Sequence, residues 1–385
     1  MKAVIAIDSL KGSLTSLEAG DAIREGIHRV YKDAEVQVRP LADGGEGTVE
    51  AMIRGIGGQL QNIEVTGPDG KRIRAAYGIL NDGKTAVIEM SAAAGITLVS
   101  ETELNPMVMT TFGVGEMILD AVAKGCRHFI IGIGGSATND GGIGMLQALG
   151  FDILDETGKP VPFGAQGLEK IAKVTDDTAN AHLKECDFRV ACDVTNPLCG
   201  ESGCSAVYGP QKGADPDMIK QMDKWLNHYS EVTRKLYPEA DPNIPGSGAA
   251  GGLGYALVSY LKAKLESGIS IILEETRLED YIRDADIVVT GEGRLDAQTV
   301  MGKAPIGVAK LAKKYGKPVI AFSGIVAKDA TEVNNHGIDA FFPILRRVVT
   351  RAEAMDSDNA RNNMTDTAEQ VFRLIAACTA DTDVR

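Results

Sequence analysis

Gly134-Gly135-Ser136-Ala137-Thr138-Asn139-Asp140-Gly141-Gly142 follows the apolar run FIIGI at 129–133 and precedes a helical pattern. In that context backbone N–H groups and a helix N-terminus can cradle phosphate. Glycine lets the backbone approach the anion, and Ser136 and Thr138 add hydroxyl donors. The same residues also make a plain tight turn, with Asn139 or Asp140 capping the helix. The loop is no P-loop, since GxxxxGK[ST] does not occur. Nor is it a dinucleotide fingerprint, because Ala137 stands where the third glycine belongs.

Other stretches carry charge at strand ends. Asp8-Ser9-Leu10-Lys11 closes the first strand. There a lysine could meet a carboxylate or phosphate, and Asp8 a hydroxyl or metal. Asp43-Gly44-Gly45-Glu46-Gly47-Thr48 sets two carboxylates among glycines, oxygens that suit Mg²⁺ or a polyhydroxylated substrate. Asp193-Val194-Thr195-Asn196 could bind Mg²⁺ or orient a hydroxyl nucleophile. Lys212, in GPQKGA, could reach a phosphate as a point charge or stand as a surface lysine. Gly291-Glu292-Gly293-Arg294-Leu295-Asp296-Ala297-Gln298-Thr299 gathers Glu, Arg, Asp and Gln after the strand DIVVT. Most of these stretches also read as ordinary turns. Gly246–Gly254 reads equally as a phosphate cradle or as small residues packed closely. The five histidines form no acid–base constellation, and Trp225 reads as a core or helix contact.

These loops need elements to hold them. Residues 3–7 read as a strand. A capping box at Thr15 and Glu18 opens a helix that buries Ala19, Ala22, Ile23, Ile27 and Val30. Residues 35–40 alternate like a strand, and a helix ends near Gly55. From 60 to 90 the pattern becomes a β-meander with Gly-Pro-Asp-Gly and Asn-Asp-Gly turns. Strand–helix alternation dominates the last hundred residues, with strands at 285–293 and 318–324 and helices near 304–315 and from about 350. Asp215-Pro216 caps a helix predicted to end near Leu236. The rhythm predicts a parallel sheet covered by helices, interrupted by a second domain. The boundaries expected are 1–60 with 285–385 for the outer domain and 61–284 for the inserted one.

Composition narrows the function. The 385 residues are 44% hydrophobic and 24% charged, which suits a globular protein. With 53 acidic against 40 basic residues, the net charge of −13 disfavours nucleic acid and anionic lipid as partners. The amino-terminal apolar run is too short for a signal peptide, no stretch would span a bilayer, and the six cysteines show no CxxC. Reduced thiols in a cytoplasmic enzyme are expected, without zinc. The residues alone lead to an α/β enzyme that handles phosphate and Mg²⁺, and leave the reaction open.

IAIDSLKGSLTS, PLADGGEGTVEAM, TAVIEMSAAAGI, IIGIGGSATNDGG, ACDVTNPL, GPQKGA, GAAGGLG and TGEGRLDAQTVMGKAPIGVA occur in that order. Together they closely resemble the bacterial glycerate kinase family of the glyoxylate- and sugar-acid-linked type. Ile7 stands where the family usually has proline and Met301 where histidine is frequent; neither change removes a carboxylate or a lysine. The resemblance implies an α/β fold of two domains. One would be discontinuous and flavodoxin-like (Rossmann-like), the other inserted and similar to the restriction-endonuclease fold, with the active site in a cleft between them. It implies ATP and Mg²⁺ as cofactors and D-glycerate as substrate, with 2-phosphoglycerate expected over 3-phosphoglycerate. A homodimer is compatible with it.

On that resemblance, Asp193 is the base or Mg²⁺ partner, Asp296 the other acid, and Lys11 and Lys212 neutralise phosphate or carboxylate. Gly134, Gly135, Ser136, Thr138 and Glu292 belong to the nucleotide phosphates. Asp8, Ser9, Asp43 and Arg294 belong to the substrate, and Asp43 also to the metal. Two rivals remain. A kinase for another small sugar acid would share every motif. A non-catalytic metabolite-binding regulator would usually carry a basic DNA-binding segment, and none is apparent.

Overall fold

Thr15 opens the first helix as its spacing predicts. Its hydroxyl accepts the Glu18 N–H (3.2 Å) while the Glu18 carboxylate accepts the Thr15 N–H (2.8 Å), and Ser16–His28 follows as an α-helix. The computed structural model describes residues 1–42, 45 and 47–380. Its strands are β1 (Lys2–Ile5), β2 (Glu35–Val38), β3 (Gly58–Thr66), β4 (Arg72–Leu80), β5 (Thr85–Glu89), β6 (His128–Gly132), β7 (Asp152–Leu154), β8 (Lys173–Thr175), β9 (Asp187–Ala191), β10 (Lys264–Glu266), β11 (Ile287–Leu295), β12 (Val319–Val326) and β13 (Ala340–Pro343). Among the described residues no helix is long and apolar enough to cross a membrane.

The chain divides into two compact units. The first comprises Met1–Asp43, Arg54–Ile56 and Ile269–Arg385. Its sheet runs β13-β12-β11-β1-β2, and every neighbouring pair is parallel. In order along the chain that is 2-1-3-4-5, a doubly wound arrangement whose direction of growth reverses between β1 and β11. Ala3, Ile5 and Ile7 bury one face of β1 with Ala19, Ala22 and Ile23 of the first helix and with Met364 and Phe372 of the helix Ser357–Ala380. The predicted C-terminal helix is two helices. Arg351–Met355 carries its own capping box at Thr350, and Asp356 then breaks it from Ser357–Ala380.

The second unit comprises Gly44–Ile53 and Gly57–Gly268. Its sheet runs β10-β9-β6-β5-β4-β3. The predicted meander supplies the antiparallel edge, β3 with β4 and β4 with β5, and the chain then turns parallel through β6, β9 and β10. Phe129 on β6 stacks on Phe188 of β9, with ring centres 4.9 Å apart, which adds roughly 1 kcal/mol to their burial. Leu253, Leu257 and Tyr229 extend that core, and Trp225 packs against it.

The sequence reading misses the short antiparallel pair β7 and β8, the strand β10, and the helices Gly268–Glu275 and Leu278–Arg283. Those two helices pack with the first unit from Ile269 onward, so the crossing drawn at 284/285 lies at 268/269. The other crossing is not single. The chain enters the second unit at 43/44, returns for Arg54–Ile56, and leaves again at Gly57.

Ser16 ties two loops of the first unit together. Its hydroxyl donates to the Ile7 carbonyl (2.5 Å) and accepts the Leu41 N–H (2.8 Å), and both residues are buried. Ser16→Ala would leave a buried acceptor and a buried donor unpaired, a cost of about 1–3 kcal/mol. Urea denaturation should show that loss in the unfolding transition that reports the first unit.

Candidate active site

After β6 the chain exposes Gly134 and Gly135 and then turns inward. Ser136 lies at the edge, and Thr138, Asn139 and Asp140 are fully buried. Asp140 fixes the inward turn. Its carboxylate accepts the Thr111 N–H and hydroxyl, both at 2.9 Å, and the N–H groups of Gly142 and Gly144. Burial raises this carboxyl, and those donors oppose the rise. The Lys212 ammonium enters from below, donating to Ser136 Oγ (2.7 Å) and to the Thr138 carbonyl (2.6 Å). Only 1% of Lys212 is exposed. It is therefore neither a surface lysine nor a free point charge for phosphate. The Thr138 hydroxyl is buried with no hydrogen-bond partner among the described residues.

Gly246–Gly254 resolves to packing, since every residue in it is buried. Gly251 has φ +66°, and a Cβ on it would lie 2.2 Å from the Thr138 carbonyl oxygen. Gly248 meets the Pro197 carbonyl in the same way, at 2.2 Å. This segment thus clamps the loop after β6 to the loop after β9. On the latter, Asp193 is exposed and accepts the Gly268 N–H (3.1 Å). Asn196 is engaged within its own loop and by Tyr208. Its amide donates to the Ser202 carbonyl (2.8 Å) and accepts the Tyr208 hydroxyl (2.7 Å).

The first unit holds a second cluster at the carboxyl ends of β1 and β11, where the sheet order reverses. The Asp8 N–H donates to the Gly291 carbonyl (2.9 Å), and Asp8 Oδ1 accepts the Ser9 N–H (2.7 Å). Asp8 is 7% exposed, whereas Lys11 is exposed. The backbone of Leu10 and Lys11 passes beside Gly293. On β11, Glu292 is buried and accepts the Thr299 hydroxyl (2.6 Å). Lys303 Nζ lies 3.5 Å from Glu292 and 4.0 Å from Asp296. Arg294 Nε lies 3.1 Å from Asp296. Burial holds the Glu292 carboxyl above its usual range, while Thr299 and Lys303 oppose that rise.

The structure therefore groups Gly134, Gly135, Ser136, Thr138, Lys212 and Asp193 in one unit, and Asp8, Ser9, Lys11, Glu292, Arg294 and Asp296 in the other. Asp43 lies outside the described residues, as do Gly44 and Glu46. Sequence reasoning missed Thr299 as a ligand of Glu292, and Lys303. A lysine at the N-cap of Ala304–Lys314, where a helix disfavours a cation, is a signal of its own. Among the described residues no three His, Cys, Asp or Glu side chains gather as a metal cage. Single carboxylates such as Asp193 still fit Mg²⁺, which binds through one or two carboxylates with substrate phosphates and water. The cysteines form no disulfide, and burial pushes the Cys186 and Cys204 thiols up to about 11, away from nucleophilic use.

Residues 3–376 match the model of the glycerate kinase family. The chain belongs to that family. It is 47% identical over 376 residues to the glycerate kinase of Haemophilus influenzae, covering 98% of this chain and 99% of the relative. It is 49% identical over 354 residues to the glycerate 2-kinase of Escherichia coli K12, covering 92% and 93% respectively. A crystal structure from Salmonella typhimurium LT2 assigned to glycerate kinase 2 is 45% identical and superposes with a TM-score of 0.90 over 99% of both chains.

Glu292 gives this site a pH signature. Its folded carboxyl titrates above the unfolded value, so its contribution to stability is present at low pH and is lost as pH rises through the folded pKa. Glu292→Gln removes that loss. The melting temperature of the variant relative to the native protein should rise from pH 4.5 toward neutrality and then level off, while turnover falls. A variant that loses stability steadily over the same range contradicts the assignment.

Proposed function

We propose that this protein is an ATP-dependent glycerate kinase, transferring the γ-phosphoryl group of MgATP to a hydroxyl of D-glycerate and forming 2-phosphoglycerate and ADP. One observation carries the reading within the family. The exposed Gly134–Gly135 backbone and the exposed Asp193 end adjacent parallel strands, β6 and β9, and one glycine segment clamps their loops together. Phosphoryl transfer asks a protein mainly for positioning and charge stabilisation. A backbone cradle beside a carboxylate offers both.

In this reading the N–H groups of Gly134 and Gly135 and the Ser136 hydroxyl hold phosphate oxygens. Asp193 orients the glycerate hydroxyl and accepts its proton, or holds Mg²⁺. Mg²⁺, when bound, neutralises phosphate charge, and Asp193 and Asp43 are the carboxylates assigned to it. Lys11 adds positive charge at the second cluster. Asp8 and Ser9 contact the glycerate hydroxyls and Arg294 its carboxylate. Asp296, held by Arg294 and Lys303, is the second acid. Glu292 aligns Thr299 and Lys303 on the nucleotide side. The 2-1-3-4-5 strand order supports a flavodoxin-like first unit, and the second is read as restriction-endonuclease-like. The reading places the enzyme in the cytoplasm.

The test is direct. Incubation with MgATP and D-glycerate, followed by ³¹P NMR, should show ADP and the 2-phosphate ester. Formation of 3-phosphoglycerate would overturn the regiochemistry, and ADP release only with a different sugar acid would overturn the substrate. Asp193→Asn in a folded protein should lower kcat by about 10²-fold or more, the usual worth of a positioned proton acceptor. Near-native turnover removes Asp193 from the chemistry.

A further inference from the structure

Lys212 is in an unusual position for a cation. It is buried, and its ammonium donates to two neutral groups, the Ser136 hydroxyl and the Thr138 carbonyl. Among the described residues no carboxylate comes within ion-pair distance of it. Two ionisable groups face it. One is Asp140 from the loop after β6, whose oxygens are already taken by Thr111, Gly142 and Gly144. The other is the Cys204 thiol from the helix Cys204–Tyr208. A buried ammonium without a counter-ion is costly, and proteins retain one where another charge completes it.

The geometry shows where that charge would come from. Ser136 Oγ accepts its hydrogen bond from Lys212, so the hydroxyl's own proton must be directed to a different acceptor. The two residues before it, Gly134 and Gly135, are exposed and carry no side chains. An anionic oxygen group over Gly134–Ser136 would receive that proton in a charge-assisted hydrogen bond. We propose that Lys212 is an internal counter-charge for this anion, acting through the Ser136 hydroxyl without touching the ligand. Lys212 is thus a positioning residue. The inference deepens the kinase reading and rests on it.

Desolvation lowers the ammonium to about 8, with Asp140 and Cys204 opposing the shift. Above that pH the unliganded protein holds a neutral amine. An arriving anion favours the charged form, so binding draws in a proton and apparent affinity falls by up to about tenfold per pH unit. Below about pH 7 neither effect should appear. The anion could be a nucleotide phosphate or the glycerate carboxylate, which share this chemistry.

The experiment is calorimetric titration of the native protein with MgADP and, separately, with D-glycerate, at pH 6.5 and 8.5. Each is run in two buffers of different ionisation enthalpy, which counts protons exchanged on binding. Both ligands are fully ionised at pH 8.5, so uptake there belongs to the protein. Uptake of up to about three-quarters of a proton at pH 8.5 and near zero at pH 6.5 is expected for one ligand, and that ligand identifies the anion. Lys212→Arg keeps the charge and should abolish the uptake and flatten the pH dependence. Lys212→Met should abolish the uptake and weaken binding. If these variants do not fold, ¹⁵N-lysine NMR of the native protein should show one side chain with a midpoint near 8 that moves upward on ligand addition. Binding by both ligands without proton uptake overturns the inference and leaves the kinase reading standing, as does uptake that persists in Lys212→Arg. Absence of binding by either ligand, with no ADP formed from MgATP and glycerate, overturns both.

Discussion

The Thr138 carbonyl is approached from two sides at once, by the Lys212 ammonium at 2.6 Å and by the side-chain-free backbone of Gly251. Each approach constrains the other. A side chain at Gly251 would displace the carbonyl, and a displaced carbonyl would cost Lys212 one of its two acceptors. Burying an ammonium costs several kcal/mol even after relaxation. Each hydrogen bond it makes here offsets about 1.5–3 kcal/mol. The two bonds roughly balance the burial and leave little surplus, so the loop is held in shape while its charge stays uncompensated. What the loop then presents is bare backbone at Gly134 and Gly135, with one hydroxyl at its edge.

The first unit reaches a similar end by a different route. The reversal of strand order at β1 and β11 brings two loops to the same sheet edge. The N–H of Asp8 and the carbonyl of Gly291 continue the pairing into them. Acidic groups here are constrained by neighbours: Glu292 by Thr299, and Asp296 by Arg294 and Lys303. Burial raises the Glu292 carboxyl against the pull of Thr299 and Lys303, and perturbed acids of this kind cluster at functional sites.

Much of this was legible in the sequence, for identifiable reasons. The capping box at Thr15, the turn chemistry of the meander and the strand–glycine–helix pattern at 129–149 are local signals, and each lies where its spacing predicts. The family follows from motifs spread along the chain. What spacing could not reveal is direction in space. Lys212 reads as a point charge for phosphate or as a surface lysine because GPQKGA is polar and glycine-flanked, yet tertiary packing buries it. Thr138 reads as a donor until the Asp140 hydrogen bonds turn the chain inward. Asn196 reads as a ligand until Tyr208 and Ser202 use its amide. Lys303 is not legible as a partner of Glu292, because their proximity arises from a turn at Thr299–Met301, which has no strong composition.

The glycine loop as an anion cradle is the claim on which the functional account stands, and amide hydrogen exchange examines it without altering a residue. Exchange should be followed by mass spectrometry in peptides spanning 134–142, with and without saturating MgADP. The account predicts slower exchange at Gly134–Ser136 on nucleotide binding, with little change at the already buried Asn139 and Asp140. Nucleotide binding that protects other segments and leaves Gly134–Ser136 exchanging at its free rate would contradict it.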